Sequence, residues 1–264
     1  MSRLRGDRAL ADLWRYRELW RSLTVRNLRV KYQRSALGFL WTLLNPVLTV
    51  AVLAVVFTHV VKIALPHYLA FLLSAYFVWN FMMQVISSGT YLLAEQASLV
   101  RSIAFPKAIP VLAGVSSRLV EFMVEMGLIL TLIVCFHHRG VPAALLLLPW
   151  LLVVQTAMAL GFVLPIAALS VFYRDIQHVL PIVLTTLFYV SPVFYPASMV
   201  PEQVRTLYLV NPLAQLLTAY QLVVYEGRLP GAGLIAALSL SAGLIVAVGS
   251  LVFRRLQADV AEVI

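Results

Sequence analysis

Three ionisable residues, Arg118, Glu121 and Glu125, interrupt an otherwise apolar run at spacings of three and four. Together with Gly114 they fall within roughly 60° of one another on a helix of 3.6 residues per turn. An ionisable side chain inside a membrane-spanning helix costs about 2.5–3.5 kcal/mol on insertion scales, so such a stripe must face protein or water. Arg118 and Glu121 are placed to pair at i,i+3, which leaves Glu125 to find another partner or to take up a proton. Two roles fit. The stripe either lines a path and transmits motion along it, or holds its helix against a neighbour near the headgroups. Arg118 lies only about two turns beyond Pro110, which favours the holding role.

Other chemistry is scarce. Cys135 is the single cysteine, so no intrachain disulfide forms. His137 and His138 are adjacent, a poor spacing for a metal, and no metal site is expected. No Gly-x-x-x-x-Gly-Lys-Ser/Thr phosphate loop occurs. Neither a Ser/His/Asp nor a Cys/His set is suggested at a common depth, and no carboxylate pair stands apart from the stripe.

The elements that carry these residues are set by composition. The 264 residues are 62% apolar and only 12% charged, with a net charge of +9. A soluble domain of this length needs more polar surface, so the apolar excess faces lipid. About 20 apolar residues cross roughly 30 Å of hydrocarbon. Spans are expected near 37–61, 68–93, 109–136, 143–171, 178–195 and 232–253, forming one transmembrane domain over 35–264 behind a cytoplasmic segment 1–34. The first apolar run is too long for a signal-peptide core and is read as a retained span. Half of the 20 Lys and Arg residues precede it. Six spans with the N-terminus inside put fifteen cations on the cytoplasmic side and four outside, which fixes the orientation with both termini cytoplasmic.

Two segments fit no simple span. Between 196 and 231, Asn211-Pro212 interrupts an apolar stretch, and a re-entrant hairpin in the outer leaflet is expected, with Tyr195, Tyr208, Tyr220 and Tyr225 at the interface. Near the N-terminus, Leu13, Tyr16, Trp20 and Leu23 share one helical face, with Arg15, Glu18, Arg21 and Ser22 on others. This pattern predicts an amphipathic helix in the cytoplasmic interface, followed by Arg26, Arg29, Lys31 and Arg34 directed to anionic headgroups or a gate.

Five stretches then agree in order with one family. Leu28 to Pro46 (LRVKYQRSALGFLWTLLNP), Phe105-Pro106-Lys107, Phe172-Tyr173-Arg174-Asp175, Ser191-Pro192-Val193-Phe194-Tyr195-Pro196 and Asn211-Pro212-Leu213 resemble type-2 ABC exporter permeases. The closest group exports polysaccharides and polyol phosphates: O-antigen, capsule and teichoic-acid carriers. The tail Phe253-Arg254-Arg255-Leu256 is similar as well, so the resemblance spans essentially the whole chain.

The resemblance implies an all-α integral membrane protein of the bacterial inner membrane that works as a homodimer with two cytoplasmic ATPase subunits. ATP and Mg belong to those subunits, and this chain is a permease rather than an enzyme, carrying no cofactor of its own. The cargo implied is a glycan on a polyprenyl pyrophosphate lipid; membrane lipids are partners, nucleic acid is not. The segment Glu95–Pro110 corresponds to the coupling helix, with Leu99, Arg101, Ile103, Phe105, Pro106 and Lys107 as ATPase-coupling residues. Phe39, Trp41, Tyr189 and Phe194 are candidates for lining a conduit, where aromatic stacking on sugar rings tolerates sliding. On physical grounds Gly38 is expected to allow close backbone approach, Asn45-Pro46 to break the first span, and Arg174-Asp175 to form a salt bridge or cap a helix. Rival readings are a permease for a small hydrophobic compound and an integral-membrane glycolipid transferase.

Overall fold

The computed structural model describes residues 14–33, 35, 37–63, 65–102, 105–137, 142–203 and 210–263, with backbone alone for 100–102, 132–137 and 261–263. Arg34, Ile103 and Tyr208 lie outside the described residues, as do Leu13 and His138. The described chain is mostly helical, and no strand occurs among the described residues.

Helix α1 (Arg17–Tyr32) precedes α2 (Leu40–Val55), which ends in a wider π turn, Val56–Val60. Then come α3 (Tyr68–Ser88), the short α4 (Ala97–Ser102), α5 (Ala108–His137), α6 (Leu148–Phe172) and α7 (Ile176–Val190). Helix α8 (Pro212–Tyr220) also closes in a π turn, Gln221–Tyr225, and α9 (Ala232–Val263) ends the chain.

Four of these segments are long and apolar enough to cross a membrane: Leu40–Val60, Tyr68–Ser88, Ala143–Phe172 and Ala232–Val260. At 1.5 Å per residue the two 21-residue segments measure about 31 Å, the thickness of the hydrocarbon. The expected third span coincides with helix α5, whose 30 residues carry the charge stripe and which is not among those four segments. The expected fifth, α7, is apolar but only 15 residues long, about 22 Å, because Ser191-Pro192 turns the chain into an extended path.

Helix α3 is the centre of the bundle, packed by α2, α5, α6, α7 and α8 and buried almost all round. Its predominantly apolar sequence suits that position, since a helix apolar round most of its circumference belongs inside, and its polar residues Tyr76, Asn80 and Gln84 line a cavity. Helices α6 and α9 form the most extensive pair. Their contact rests on missing side chains: a Cβ on Gly249 would stand 2.0 Å from the Gly161 carbonyl oxygen, and one on Gly161 would stand 2.6 Å from the Ile245 backbone. Small residues at a crossing let backbones touch, the packing mode that replaces hydrophobic drive in lipid.

Several local expectations change. Among the described residues none puts an atom within 4 Å of where a Gly38 Cβ would sit, but its φ is +49°, so it serves a left-handed turn before α2 rather than a close approach. Asn45-Pro46 does not end a helix; α2 runs through it, with Pro46 buried. Asp175 stands at the start of α7 without a side-chain cap, its carbonyl taking the His178 and Val179 amides instead. Asn211, by contrast, caps α8 through Oδ1 on the Leu213 amide at 3.0 Å, with Pro212 at the first helical position.

Two backbone oxygens of the irregular 191–196 strap are satisfied from inside the bundle. Tyr68 donates its hydroxyl to the Phe194 carbonyl at 2.6 Å, and Gln221 donates Nε2 to the Pro192 carbonyl at 2.6 Å. Non-helical backbone in lipid survives only with such partners. Tyr220 is fully buried, which corrects the expected interfacial position: it packs edge-on to Phe122 in the core.

Candidate functional site

A polar node sits where α1 meets α5. Lys31, in the last turn of α1, donates to both carboxylate oxygens of Glu121 at 2.9 and 2.8 Å. Arg118, one turn back on α5, reaches the same Oε2 at 2.9 Å and donates to Gln84 Oε1 of α3 at 2.7 Å. The Tyr32 hydroxyl also donates to Glu121 and hydrogen-bonds the Thr42 hydroxyl at the start of α2. One buried carboxylate therefore joins α1, α2, α3 and α5. Burial, and secondly the nearby Arg118, hold the Lys31 ammonium below its ordinary lysine value, against the pull of Glu121. Burial pushes the Tyr32 phenol up, and its hydrogen bond to Glu121 adds to that.

The expected Arg118–Glu121 pair is present, and the neighbour held by the stripe is the N-terminal helix. That helix is fastened at its other end by apolar contact. Leu23 packs with Phe105, Ile109 and Ala113, and Tyr16, Leu19, Trp20 and Leu99 close around them. The Trp20 indole donates to Ser116 at 3.0 Å. The apolar stripe thus faces α5 and the 95–110 elbow, not lipid, because the elbow presents an apolar corner within reach.

This packing corrects the reading of the elbow. Phe105 is buried and serves the chain's own core, with Lys107 above its ring at 5.4 Å. Leu99 joins the same cluster. Phe105 is therefore not a free plug for a partner's groove; Leu99, Pro106 and Lys107 are half-buried, and Ala94 and Glu95 present the exposed surface just before α4. Arg101 lies in α4 with its side chain undescribed.

Of the basic set, Arg26 and Arg29 are exposed on the outer face of α1, while Lys31 is held in the node. Among the aromatic candidates, Phe39, Trp41 and Tyr189 are exposed on this subunit. Phe194 is not: it is buried, with its ring centre 5.0 Å from Phe57 and 5.4 Å from Phe188. It fixes the strap instead of lining a path.

Two cavities flank the node. One, of about 370 Å³, opens between α1, the end of α3 and α5 and includes Arg26, Asn27, Tyr91, Gln96 and Ser117. The other, of about 280 Å³, lies between α2, α3 and α5 and is lined by Trp41, Asn45, Thr49, Tyr76, Asn80 and Glu125 among others. Glu125 is 3% exposed and points along the stripe away from the node's elbow side. Sequence reasoning missed Tyr32, Gln84, Asn80 and Tyr76. A signal existed: Tyr76, Asn80 and Gln84 recur every four residues, and Thr42, Asn45 and Thr49 recur at three and four, one polar face on each of two apolar helices.

A bundle with Gly-mediated crossings, a charged helix clamped by a basic lead-in, and polar faces turned to a shared cavity is the form of a membrane transport subunit. Residues 18–225 match the model of the ABC-2 type transporter family, and the chain belongs to that family. It is 31% identical to the O-antigen export system permease protein RfbA of Myxococcus xanthus, over 97% of this chain and 98% of the relative. An O-antigen export permease RfbA of Klebsiella pneumoniae is 23% identical, over 92% and 93%. The polysialic acid transport protein KpsM of Escherichia coli is 20% identical, over 78% and 81%. The chain is therefore a multi-pass transport permease and not itself an enzyme.

Proposed function

We propose that this chain is the membrane half of an ATP-driven exporter that carries a lipid-linked polysaccharide, O-antigen-like or a capsular or teichoic-acid polymer, across the bacterial inner membrane. The near full-length match to an O-antigen export permease carries the reading. The polar lining of the 280 Å³ cavity favours a hydroxyl-rich cargo over a small hydrophobic one.

Membrane chains of this family work with a cytoplasmic ABC ATPase, and in our reading two copies of the chain pair with two ATPases that bind ATP and Mg. The chain crosses six times: the four long apolar segments, α5 with its charges satisfied inside, and α7 extended by the 191–196 strap. The segment from the strap through α8 is a hairpin in the outer leaflet. Both termini and the elbow then lie in the cytoplasm, and α1 lies against the inner surface with Arg21, Arg26 and Arg29 toward anionic headgroups. ATP-driven closure of the ATPases moves the elbow, and α1, fixed to the elbow at Phe105 and to α2 at Thr42, passes that motion to the mouth of the bundle.

The test is co-expression with a cytoplasmic ABC ATPase, followed by copurification and a leaflet assay. Lipid-linked glycan is expected to accumulate on the cytoplasmic leaflet when ATP is depleted. Glycan that reaches the outer leaflet at the same rate without ATP overturns the reading.

A further inference from the structure

We propose that the Lys31–Glu121 node is a gate for water. Closed, it separates a cavity on the cytoplasmic side from the polar cavity between α2, α3 and α5; movement of α1 opens it. The inference goes beyond the exporter reading and rests on it only for the orientation of the bundle, whatever the cargo.

The two cavities meet at one layer of side chains. Lys31 lines both. Glu121 and Arg118 line the outer one, Tyr32 and Gln84 the inner one. Three contacts of the node cross between these sets: Lys31 Nζ to the Glu121 oxygens at 2.9 and 2.8 Å, Arg118 to Gln84 Oε1 at 2.7 Å, and Tyr32 to Glu121. The wall is thus one side chain thick and held by hydrogen bonds and charge.

The inner cavity needs water. Glu125 is 3% exposed, and among the described residues no hydrogen bond reaches its carboxyl group. The side-chain amides of Asn45 and Asn80, on the same cavity, have no protein partner among the described residues either. Polar groups in that position take their missing partners from water, and about 280 Å³ holds several molecules. The mouth past Trp41 and Thr49 opens at membrane depth, where hydrocarbon supplies none. The outer cavity, about 370 Å³ and lined by Arg26, Asn27 and Glu95 among others, is the polar route to the cell interior.

The wall divides between two helices that can part. Lys31 and Tyr32 ride on α1, Glu121 and Arg118 on α5, and the far end of α1 is fixed to the elbow through Leu23 and Phe105. Displacing that end swings Lys31 and Tyr32 away from Glu121 and joins the cavities. Neither half is then stranded. The Lys31 side chain is already 36% exposed, so water takes over its ammonium, and Glu121 keeps Arg118 at 2.9 Å.

The experiment measures cysteine modification in sealed, inverted membrane vesicles. The full chain carries Cys135→Ala, which removes its single cysteine, and Asn80→Cys as the reporter in the inner cavity. The reagent is MTSET, a cationic, membrane-impermeant methanethiosulfonate. Modification should be slow beside that of Arg26→Cys in the outer cavity. Glu121→Gln should speed it about 5–30-fold, in step with the population of detached α1. That substitution leaves two cations facing a cationic reagent, so faster entry reports opening and not attraction. Phe105→Ala, which lines neither cavity, should speed it at least as much. Leu48→Cys, on the exposed face of α2 and outside the inner cavity, should show no such rise. An Asn80→Cys rate equal to that of Arg26→Cys with the node intact, a change below about twofold in either variant, or an equal rise at Leu48→Cys overturns the gate. Right-side-out vesicles separate the two readings. Node-dependent modification from that face alone removes the orientation and with it the gate; loss of ATP dependence in the leaflet assay removes the exporter reading alone.

Discussion

Replacing Glu121 by Gln keeps the shape of the node and removes its only engaged carboxylate. Lys31 and Arg118, whose side chains are 36% and 20% exposed, are then left facing each other without a counter-charge. Breaking a buried ion pair from one side costs about 3–5 kcal/mol. Lys31 keeps enough water contact for its share to fall toward the surface range of about 0.2–1 kcal/mol. Arg118 retains Gln84, and Glu125 lies one turn further along α5. The expected cost is about 2–3 kcal/mol. The part of it that crosses to α1, the Lys31 pair and the Tyr32 hydrogen bond, is about 1–2 kcal/mol, so the detached population should rise about 5–30-fold. Hydrogen exchange of the α1 amides in nanodiscs reads the change directly. Arg29→Ala, on the exposed face of the same helix, is the control. A rise below about threefold in Glu121→Gln, or an equal rise in the control, would refute the view that this carboxylate fastens the helix. A Lys31→Met partner variant should be less than additive with it, because the two share one contact.

Three further outcomes are expected. Phe105→Ala should cost about 3–5 kcal/mol of α1 docking while leaving the ATPase bound, since the ring is internal; loss of the ATPase with α1 exchange unchanged would contradict this. Gly249→Ala brings a methyl group to 2.0 Å from the Gly161 oxygen and should separate α6 from α9, lowering the yield of folded chain in detergent, whereas Gly233→Ala, with open space around it, should not. Finally, Lys31 titrates below its ordinary value of 10.5, so the folded state holds fewer protons than the unfolded one below that pH. Unfolding takes up protons there, and stability rises with pH toward 10.5. Tyr32, raised by burial, acts in the opposite sense at higher pH. The difference in melting temperature between wild type and Lys31→Arg isolates the lysine, and it should shift in favour of wild type as pH rises.

The long elements were legible because their signal is simple. Apolar runs of about 20 residues bounded by Pro, Gly and charge place α2, α3, α5, α6 and the start of α9 within about five residues of where the helices lie, while α9 runs on to Val263, past the charged residues taken to end it at 253. The Arg118–Glu121 pair was legible too, because i,i+3 geometry needs only one helix. What a single helix cannot reveal is its neighbour. The stripe of Tyr16, Trp20 and Leu23 is equally suited to lipid and to an apolar corner, and only the fold brings Phe105 and Ile109 under it. Phe194 looked available for the same reason: an aromatic residue near the end of a span reads as a conduit-lining candidate until Phe57 and Phe188 are seen around it. The cavity was half legible. Its polar faces repeat at helical spacing on α2 and α3, yet the meeting of those faces with Glu125 depends on how three helices cross.

The central claim is tested most directly by reconstituting the chain with its ATPase in proteoliposomes loaded with polyprenyl-pyrophosphate-linked glycan. Transfer of the glycan to the opposite leaflet should require ATP and Mg and should stop when ATP is replaced by a non-hydrolysable analogue. An assembled complex that hydrolyses ATP while the glycan stays where it was loaded would contradict the account.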